Sequence, residues 1–272
     1  MNPTNLFDVQ DRVIVVTGGL GQLGSQFTRA LVERGARVAV FDVSADEAVI
    51  QQRFAKDLPR EQLLCVAVDV TQRTSVEAGL AQVTARWGTP FGLVNNAALD
   101  SPPNAPVEEN GPFETYPDAS WDQVMAVNVK GVFHCCQVIG GAMAQAGRGS
   151  IINISSIYGL VSPDQRIYAY RRQRGEIFFK PVAYSVSKSA LLNLTRYLAT
   201  YWAPHVRVNT LTFAGVFNHQ DAEFLKNYLP KVPLGRMARA DEYNGAVIFL
   251  LSDASSYMTG SNMVIDGGWT AW

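Results

Sequence analysis

Val13-Ile14-Val15-Val16-Thr17-Gly18-Gly19-Leu20-Gly21-Gln22-Leu23-Gly24 is the stretch on which the fold of this chain turns. A β-branched apolar run ends in a glycine-rich turn. Beyond it Leu23, Phe27 and Leu31 recur every four residues, the spacing of one helix face. The helix predicted there stops at Gly35, a natural C-terminal breaker, and a second apolar run follows at 38–42. Strand, glycine turn, helix and strand make a βαβ unit, whose two strands run parallel.

The turn also has a chemical reading. Glycines let the backbone turn tightly and come close to a pyrophosphate, and a helix N-terminus offers unpaired N–H groups and partial positive charge. Gly18, Gly21, Gln22, Leu23 and Gly24 are therefore candidate cofactor-binding residues. A glycine turn alone often marks only a tight strand-to-helix connection, so a second signal is needed. Asp42 supplies it. Followed by Val43, it closes the second run roughly twenty residues past the glycines, where a carboxylate accepts hydrogen bonds from the hydroxyls of an adenosine ribose. The same charge repels a 2′-phosphate, so the expected cofactor is NAD rather than NADP. A loop-entry or capping role is the plainer alternative for Asp42.

Outward from this unit, further apolar runs lie at 63–70, 92–95, 150–155, 206–211 and 263–266, each continuous enough to be buried on both faces. With the first two they make about seven strands separated by helix-length amphipathic segments. That pattern predicts an α/β fold, a doubly wound parallel sheet of Rossmann type with helices on both faces. No polar linker or repeat divides the chain, so a single domain over 1–272 is expected. Two segments read as inserted loops: 99–119, rich in Pro, Asn and Glu, and 162–181, rich in Arg and Tyr.

Charge and composition exclude some partners. Lysine and arginine number 23 against 24 acids, so no basic field exists to hold a nucleic acid. Cys65, Cys135 and Cys136 form an odd set without metal-ligand spacing, which fits a reducing, cytoplasmic setting and no bound metal. The first residues show no basic region followed by an apolar run, and no stretch is expected to reach bilayer-spanning length.

Tyr184-Ser185-Val186-Ser187-Lys188 opens an amphipathic segment, placing Tyr184 and Lys188 one turn apart on one helix face. A nearby ammonium favours phenolate and is expected to lower the phenol's pKa towards neutrality, which suits general acid-base chemistry. Taken alone, such a pair is usually a surface feature. Its company changes that.

Taken together, the glycine turn, Asn95-Asn96-Ala97-Ala98, Asn128, Ile154-Ser155-Ser156 and the Tyr-Lys pair closely resemble the short-chain dehydrogenase/reductase family in its compact single-domain form. Arg207-Val208-Asn209, the Val216 region, Thr259-Gly260 and Asp266-Gly267-Gly268 extend the likeness over essentially the whole chain. The resemblance implies an NAD-dependent oxidoreductase acting on a secondary alcohol or ketone. Tyr184 would be the general acid or base, and Lys188 would tune it and hold the nicotinamide ribose. Ser156, rather than Ser155, would donate to the substrate oxygen. Asn128 would position a water joining Lys188 to solvent. Asp69 with Val70 would flank the adenine, Asn95 with Ala97 would line the ribose, and Gly215 with Val216 would meet the nicotinamide carboxamide. A homodimer or homotetramer is implied, in keeping with the apolar helix around 132–143.

Departures from the family pattern sit at the same places. Gln22 stands for the middle glycine, Ala98 for the glycine after Asn-Asn-Ala, and Phe213-Ala214-Gly215 for a Pro-Gly turn beside the nicotinamide. Ser156 and Tyr184 are further apart than is usual, the extra length being the Arg-Tyr segment. Arg171, Arg172 and Arg174 in it are candidate contacts to an anionic substrate group, arginine being a forked donor suited to carboxylate or phosphate; a solvated loop or subunit contact is the alternative. The stretch from Ile157 to Arg166 is similar to members associated with surface-glycan and sugar-acid pathways, which implies a sugar derivative as substrate. A ketoacyl-type or other carbonyl reductase and a non-catalytic NAD-binding sensor or scaffold are the competing functions.

Overall fold

The computed structural model describes residues 5–54, 58–101 and 106–272. Seven strands form within them: β1 (Val13–Thr17), β2 (Arg37–Asp42), β3 (Leu63–Ala67), β4 (Gly92–Asn95), β5 (Gly149–Ser156), β6 (Val206–Phe213) and β7 (Asn262–Ile265). All join one sheet in the order β3-β2-β1-β4-β5-β6-β7, every pair parallel. β1 and β4 match their expected bounds, whereas the third run stops at Ala67, three residues short of Val70.

Side chains alternate along a strand, and here both sets are buried. Ile14 and Val16 of β1, with Val38 and Val40 of β2, pack on one face against Phe27 and Leu31. Val13 and Val15, with Ala39 and Phe41, pack on the other. Helices account for the cover: α1 (Gln22–Val32), α2 (Glu47–Phe54) and α8 (Asn244–Leu251) on the first face, α3 (Arg73–Trp87), α4 (Asp118–Gln145) and α6 (Val182–Tyr201) on the second. Burying each of Ile14, Val15 and Val16 contributes about 1.5–3 kcal/mol, which is why these three positions carry no polar residue.

Among the described residues α4 alone is long and apolar enough to cross a bilayer by length and composition, which corrects the expectation that no stretch reaches that length. Half of its apolar window is buried within the fold, where Val132, Cys135, Cys136, Ile139 and Met143 pack against the sheet. The chain reversal from β1 to β4 opens a crevice at the carboxyl ends of the strands, the usual ligand position in such sheets. Thr17, Asp42, Asn95, Ser156 and Phe213 are the strand-terminal residues around it.

Neither insertion is a bare loop. The first contains turns at Val107–Asn110 and Phe113–Thr115, with 102–105 outside the described residues. The second folds into a turn at Gln165–Tyr168 and the short helix α5 (Ala169–Gln173). Ile167, Tyr168 and Phe178 of that segment join Tyr158, Tyr228, Met237 and Trp269 in a third apolar cluster at the mouth of the crevice, beside α7 (Ala222–Tyr228).

Candidate active site

At the first turn, Gly18 adopts φ +61°, and a Cβ there would stand 2.8 Å from Ala97 Cα. A Cβ on Gly24 would stand 2.1 Å from the Gly18 carbonyl oxygen, so α1 packs this closely only because the residue is glycine. Gly21 is the N-cap of α1 and supplies no side-chain cap, leaving the first-turn N–H groups open to an anion. Gln22 swings away and donates to the Phe217 carbonyl at 3.0 Å, tying the turn to the loop after β6. The cradle fits a pyrophosphate.

Asp42 has two tasks. Its Oδ2 accepts the Leu20 N–H at 3.0 Å and its Oδ1 accepts the Ser44 N–H at 3.0 Å, so it braces the glycine turn as well as facing the crevice. Each carboxylate oxygen keeps a second lone pair for a ribose hydroxyl. Val43 beside it is exposed at the rim. Asp69 turns one oxygen onto Thr71, accepting from its N–H at 2.9 Å and its hydroxyl at 2.7 Å. Val70 is buried against Gly131, so its side chain serves the core.

The neighbouring asparagines divide the work differently from the expectation. Asn95 is buried and donates to Asn153 Oδ1 at 2.8 Å, so its amide points into the core and only its backbone faces the crevice. Asn96 takes up the bracing, donating to the Thr17 and Gly18 carbonyls at 3.0 and 3.1 Å. Thr17 Oγ1 accepts the N–H groups of Asn96 and Ala97 at 3.0 Å each.

Ser156, Tyr184 and Lys188 converge at the end of β5 and the start of α6. The Ser156 hydroxyl lies within hydrogen-bonding reach of the Tyr184 phenol and accepts the Tyr158 N–H at 3.2 Å, which leaves its proton free to be donated. Ser155 is turned away, donating to the Lys188 carbonyl at 2.9 Å. Lys188 is 4% exposed; its Nζ donates to the Ile154 carbonyl at 2.9 Å and stands 5.8 Å from the Tyr184 ring centroid. Burial lowers its pKa to about 8, partly opposed by Asp100.

Burial, with Asp100 second, pushes the Tyr184 phenol above its ordinary range, and Ser156 pulls it back. This is the opposite direction from the lowering expected of Lys188, and burial of the phenol is its largest cause. A second cation also approaches the ring, Lys180 Nζ at 5.2 Å from its centroid, ion-paired with Asp100.

Asn128 sits in a π turn, Ala126–Gly131, and its amide is largely engaged. Its Oδ1 accepts the Leu99 N–H at 2.7 Å; its Nδ2 donates to the Leu99 carbonyl at 2.8 Å and to Ser187 Oγ at 3.0 Å. One lone pair of Oδ1 remains for a water.

At the third strand end, rigidity comes from packing where a proline was missing. Phe213 stacks on Tyr243 with centroids 4.3 Å apart, and the Tyr228 hydroxyl accepts the Gly215 N–H at 2.8 Å. The Val216 carbonyl accepts from Gln220 at 3.0 Å. Neither tyrosine was legible as a site residue, because both are distant in sequence and carry no motif.

Arg171, Arg172 and Arg174 make their contacts within the insertion, which fits the structural alternative better than a contact to an anionic substrate. Arg171 pairs with Glu176 at 2.7 Å and lies over Phe178. Arg172 donates to the Phe178 and Gln165 carbonyls at 2.9 and 3.0 Å. Arg174 lies over the Tyr170 ring. All three bind the insertion to itself.

Comparison with known proteins agrees with this geometry. A family model described as enoyl-(acyl carrier protein) reductase matches residues 21–270. The NAD-dependent glycerol dehydrogenase of Listeria innocua is 30% identical over 97% of this chain and 96% of its own length. The L-tagatose-forming galactitol 2-dehydrogenase of Cereibacter sphaeroides is 32% identical, with 100% of both chains covered. A short-chain dehydrogenase of Leptospira borgpetersenii, solved with bound NAD+, aligns with a TM-score of 0.81 at 31% identity over 97% of this chain and 94% of that one.

Proposed function

The chain belongs to the short-chain dehydrogenase/reductase family, and on that premise we propose that it oxidises a secondary hydroxyl of a polyol or sugar alcohol, or reduces the matching ketone, with NAD. The observation that carries this is the convergence of Ser156, Tyr184 and Lys188 beside a glycine turn braced by Asp42. NAD, when bound, supplies the hydride acceptor or donor at its nicotinamide.

The uncapped start of α1 holds the pyrophosphate, Asp42 the adenosine ribose, and Lys188 the nicotinamide ribose. In oxidation the substrate hydroxyl gives its proton to the Tyr184 phenolate while Ser156 holds the substrate oxygen; in reduction Tyr184 returns the proton. Lys188 and a water on Asn128 Oδ1 carry the proton onwards. Retention of all four residues favours turnover over a scaffold role. Phe133, Val186, Tyr197 and Tyr201 are exposed on α4 and α6, and this face would pair two copies of the chain. The apolar residues at 132–143 are mostly spent on the chain's own core.

The test is a panel of glycerol, tetritols, hexitols, hexoses, steroids and acyl thioesters, followed for NADH formation or consumption. Polyols should give the highest kcat/KM; preference for acyl thioesters with NADPH would favour the ketoacyl-type reading instead.

A further inference from the structure

Tyr184 is approached by two ammonium groups, one from each direction along the chain. Lys188 lies four residues after it with Nζ 5.8 Å from the ring centroid, and Lys180 lies four residues before it, ahead of α6, with Nζ at 5.2 Å. The two differ in their partners. Lys188 Nζ donates to the Ile154 carbonyl and has no carboxylate partner among the described residues. Lys180 Nζ donates to both carboxylate oxygens of Asp100. The phenol thus meets one cation without a counter-charge and one cation with its counter-charge attached.

Neither member of the Asp100–Lys180 pair depends on the other for its place. Asp100 follows Leu99, whose N–H and carbonyl are both held by the Asn128 side chain, at 2.7 and 2.8 Å. Lys180 is fastened by its backbone, the N–H donating to Gln165 Oε1 at 2.9 Å and the carbonyl accepting from Gln165 Nε2 at 3.3 Å. The Asp100 side chain is 56% exposed, and an ion pair open to water at one end contributes little to stability. What the pair supplies between two segments already fastened is charge beside the phenol. The other groups that act on Tyr184 are Ser156 from β5, Tyr228 from α7 and Lys188 on α6 itself. Ser156 carries no charge, and burial pushes the Tyr228 phenol up to about 12, so it stays neutral near physiological pH. After burial, Asp100 is the largest influence holding the Tyr184 phenol up, and it opposes the lowering of Lys188 by burial.

We propose that Asp100 and Lys180 are positioning residues for the proton exchange: as a fixed pair of opposite charges acting through Tyr184, they set the pH range in which its oxygen carries the proton. The assignment rests on the oxidoreductase reading above and adds to it two residues outside the Ser-Tyr-Lys group. The two charges pull in opposite senses. The carboxylate disfavours a phenolate beside it and the ammonium favours one, so deleting either must move the phenol, and the two deletions must move it in opposite directions. Lys188 responds to each deletion in the same sense as Tyr184, since a more positive surrounding lowers both, and it therefore reinforces the effect.

The experiment follows single-turnover NADH formation from a polyol against pH in wild type, Asp100→Asn, Lys180→Gln, the double variant and Lys180→Arg. The tyrosinate absorbance of each, less that of the same background carrying Tyr184→Phe, reads the phenol directly and without NAD. Asp100→Asn should move the rate profile and the absorbance onset to lower pH by about 0.5–1 pH unit, which is about three- to tenfold in rate on the rising limb. Lys180→Gln should move both to higher pH by a similar amount. The double variant should return close to wild type, and Lys180→Arg, which keeps the charge, should stay there. A role in fastening alone gives a different pattern: both single variants lose rate at every pH and neither profile moves. That pattern, or shifts of the same sign, overturns the proposal. Should Lys180→Gln fail to fold, an unmoved or raised profile in Asp100→Asn overturns it alone. Opposite absorbance shifts without polyol turnover in wild type keep the pair's role and sink the proposed reaction.

Discussion

Lys188 carries a positive charge where only 4% of its surface reaches water, and burial holds its pKa near 8 against an ordinary 10.5. Below about pH 8 the folded chain must bury an ammonium that the unfolded chain keeps solvated, so folding bears the full cost there. Between pH 8 and 10.5 the folded chain holds the neutral amine while the unfolded chain is still protonated, and the cost fades until the unfolded lysine titrates as well. Lys188→Met should therefore stabilise the protein by about 2 kcal/mol at pH 7, after allowing for the lost bond to the Ile154 carbonyl. Melting curves should show a gain of several degrees at pH 7 that disappears near pH 10; a loss at pH 7 would mean that the lysine is a net structural asset. Asp42→Ala should narrow the preference for NAD over NADP, read by titrating both at matched ionic strength, and should also weaken NAD itself because the Leu20 N–H loses its acceptor. The Tyr184–Lys188 spacing was legible because it lies within one helical turn. The direction of the Tyr184 shift was not, since it depends on how deeply the fold buries the phenol.

The strands were legible for a related reason: a sheet covered on both faces demands continuous apolar runs, and runs such as Val13–Thr17 and Gly92–Asn95 stand out from their surroundings. The insertion at 162–181 was not, because its partners come from elsewhere in the chain. Tyr168 packs on Phe224, the Tyr170 hydroxyl donates to Asp221 at 2.7 Å, and the Phe179 N–H donates to the Asn110 carbonyl at 2.7 Å. The arginine-rich tract, open in sequence to an anion contact or a loop role, is a packed element cross-tied by its own guanidinium groups. Gln165 completes it, its amide accepting the Lys180 N–H at 2.9 Å and donating to the Lys180 carbonyl at 3.3 Å. Arg172→Ala should therefore release Phe178 and Gln165 together, raising KM for the substrate and making 162–181 sensitive to limited proteolysis. Arg174→Ala, which removes only an exposed contact with Tyr170, should do neither. A strong salt dependence of KM shared by all three arginine variants would instead restore the anion-binding role.

For the molecule as a whole, the reversal of strand order gathers residues from the ends of β1, β2, β4, β5 and β6 around one crevice. That arrangement makes the glycine turn, Asp42 and the Ser-Tyr-Lys group parts of a single reacting centre although they are spread from Gly18 to Lys188. The phenol's upward shift has a global consequence for rate. Oxidation needs the phenolate and should accelerate as pH rises, while reduction needs the phenol and should hold its rate to high pH. The central claim is that Tyr184 exchanges the proton while the rest of the site binds and orients. The most direct measurement is single-turnover NADH formation from a polyol by wild type and Tyr184→Phe, with NAD affinity determined for both. Nearly equal NAD affinity is expected, with a rate reduced by ~10²–10⁴ in the variant. A Tyr184→Phe enzyme that forms NADH at close to the wild-type rate would contradict it.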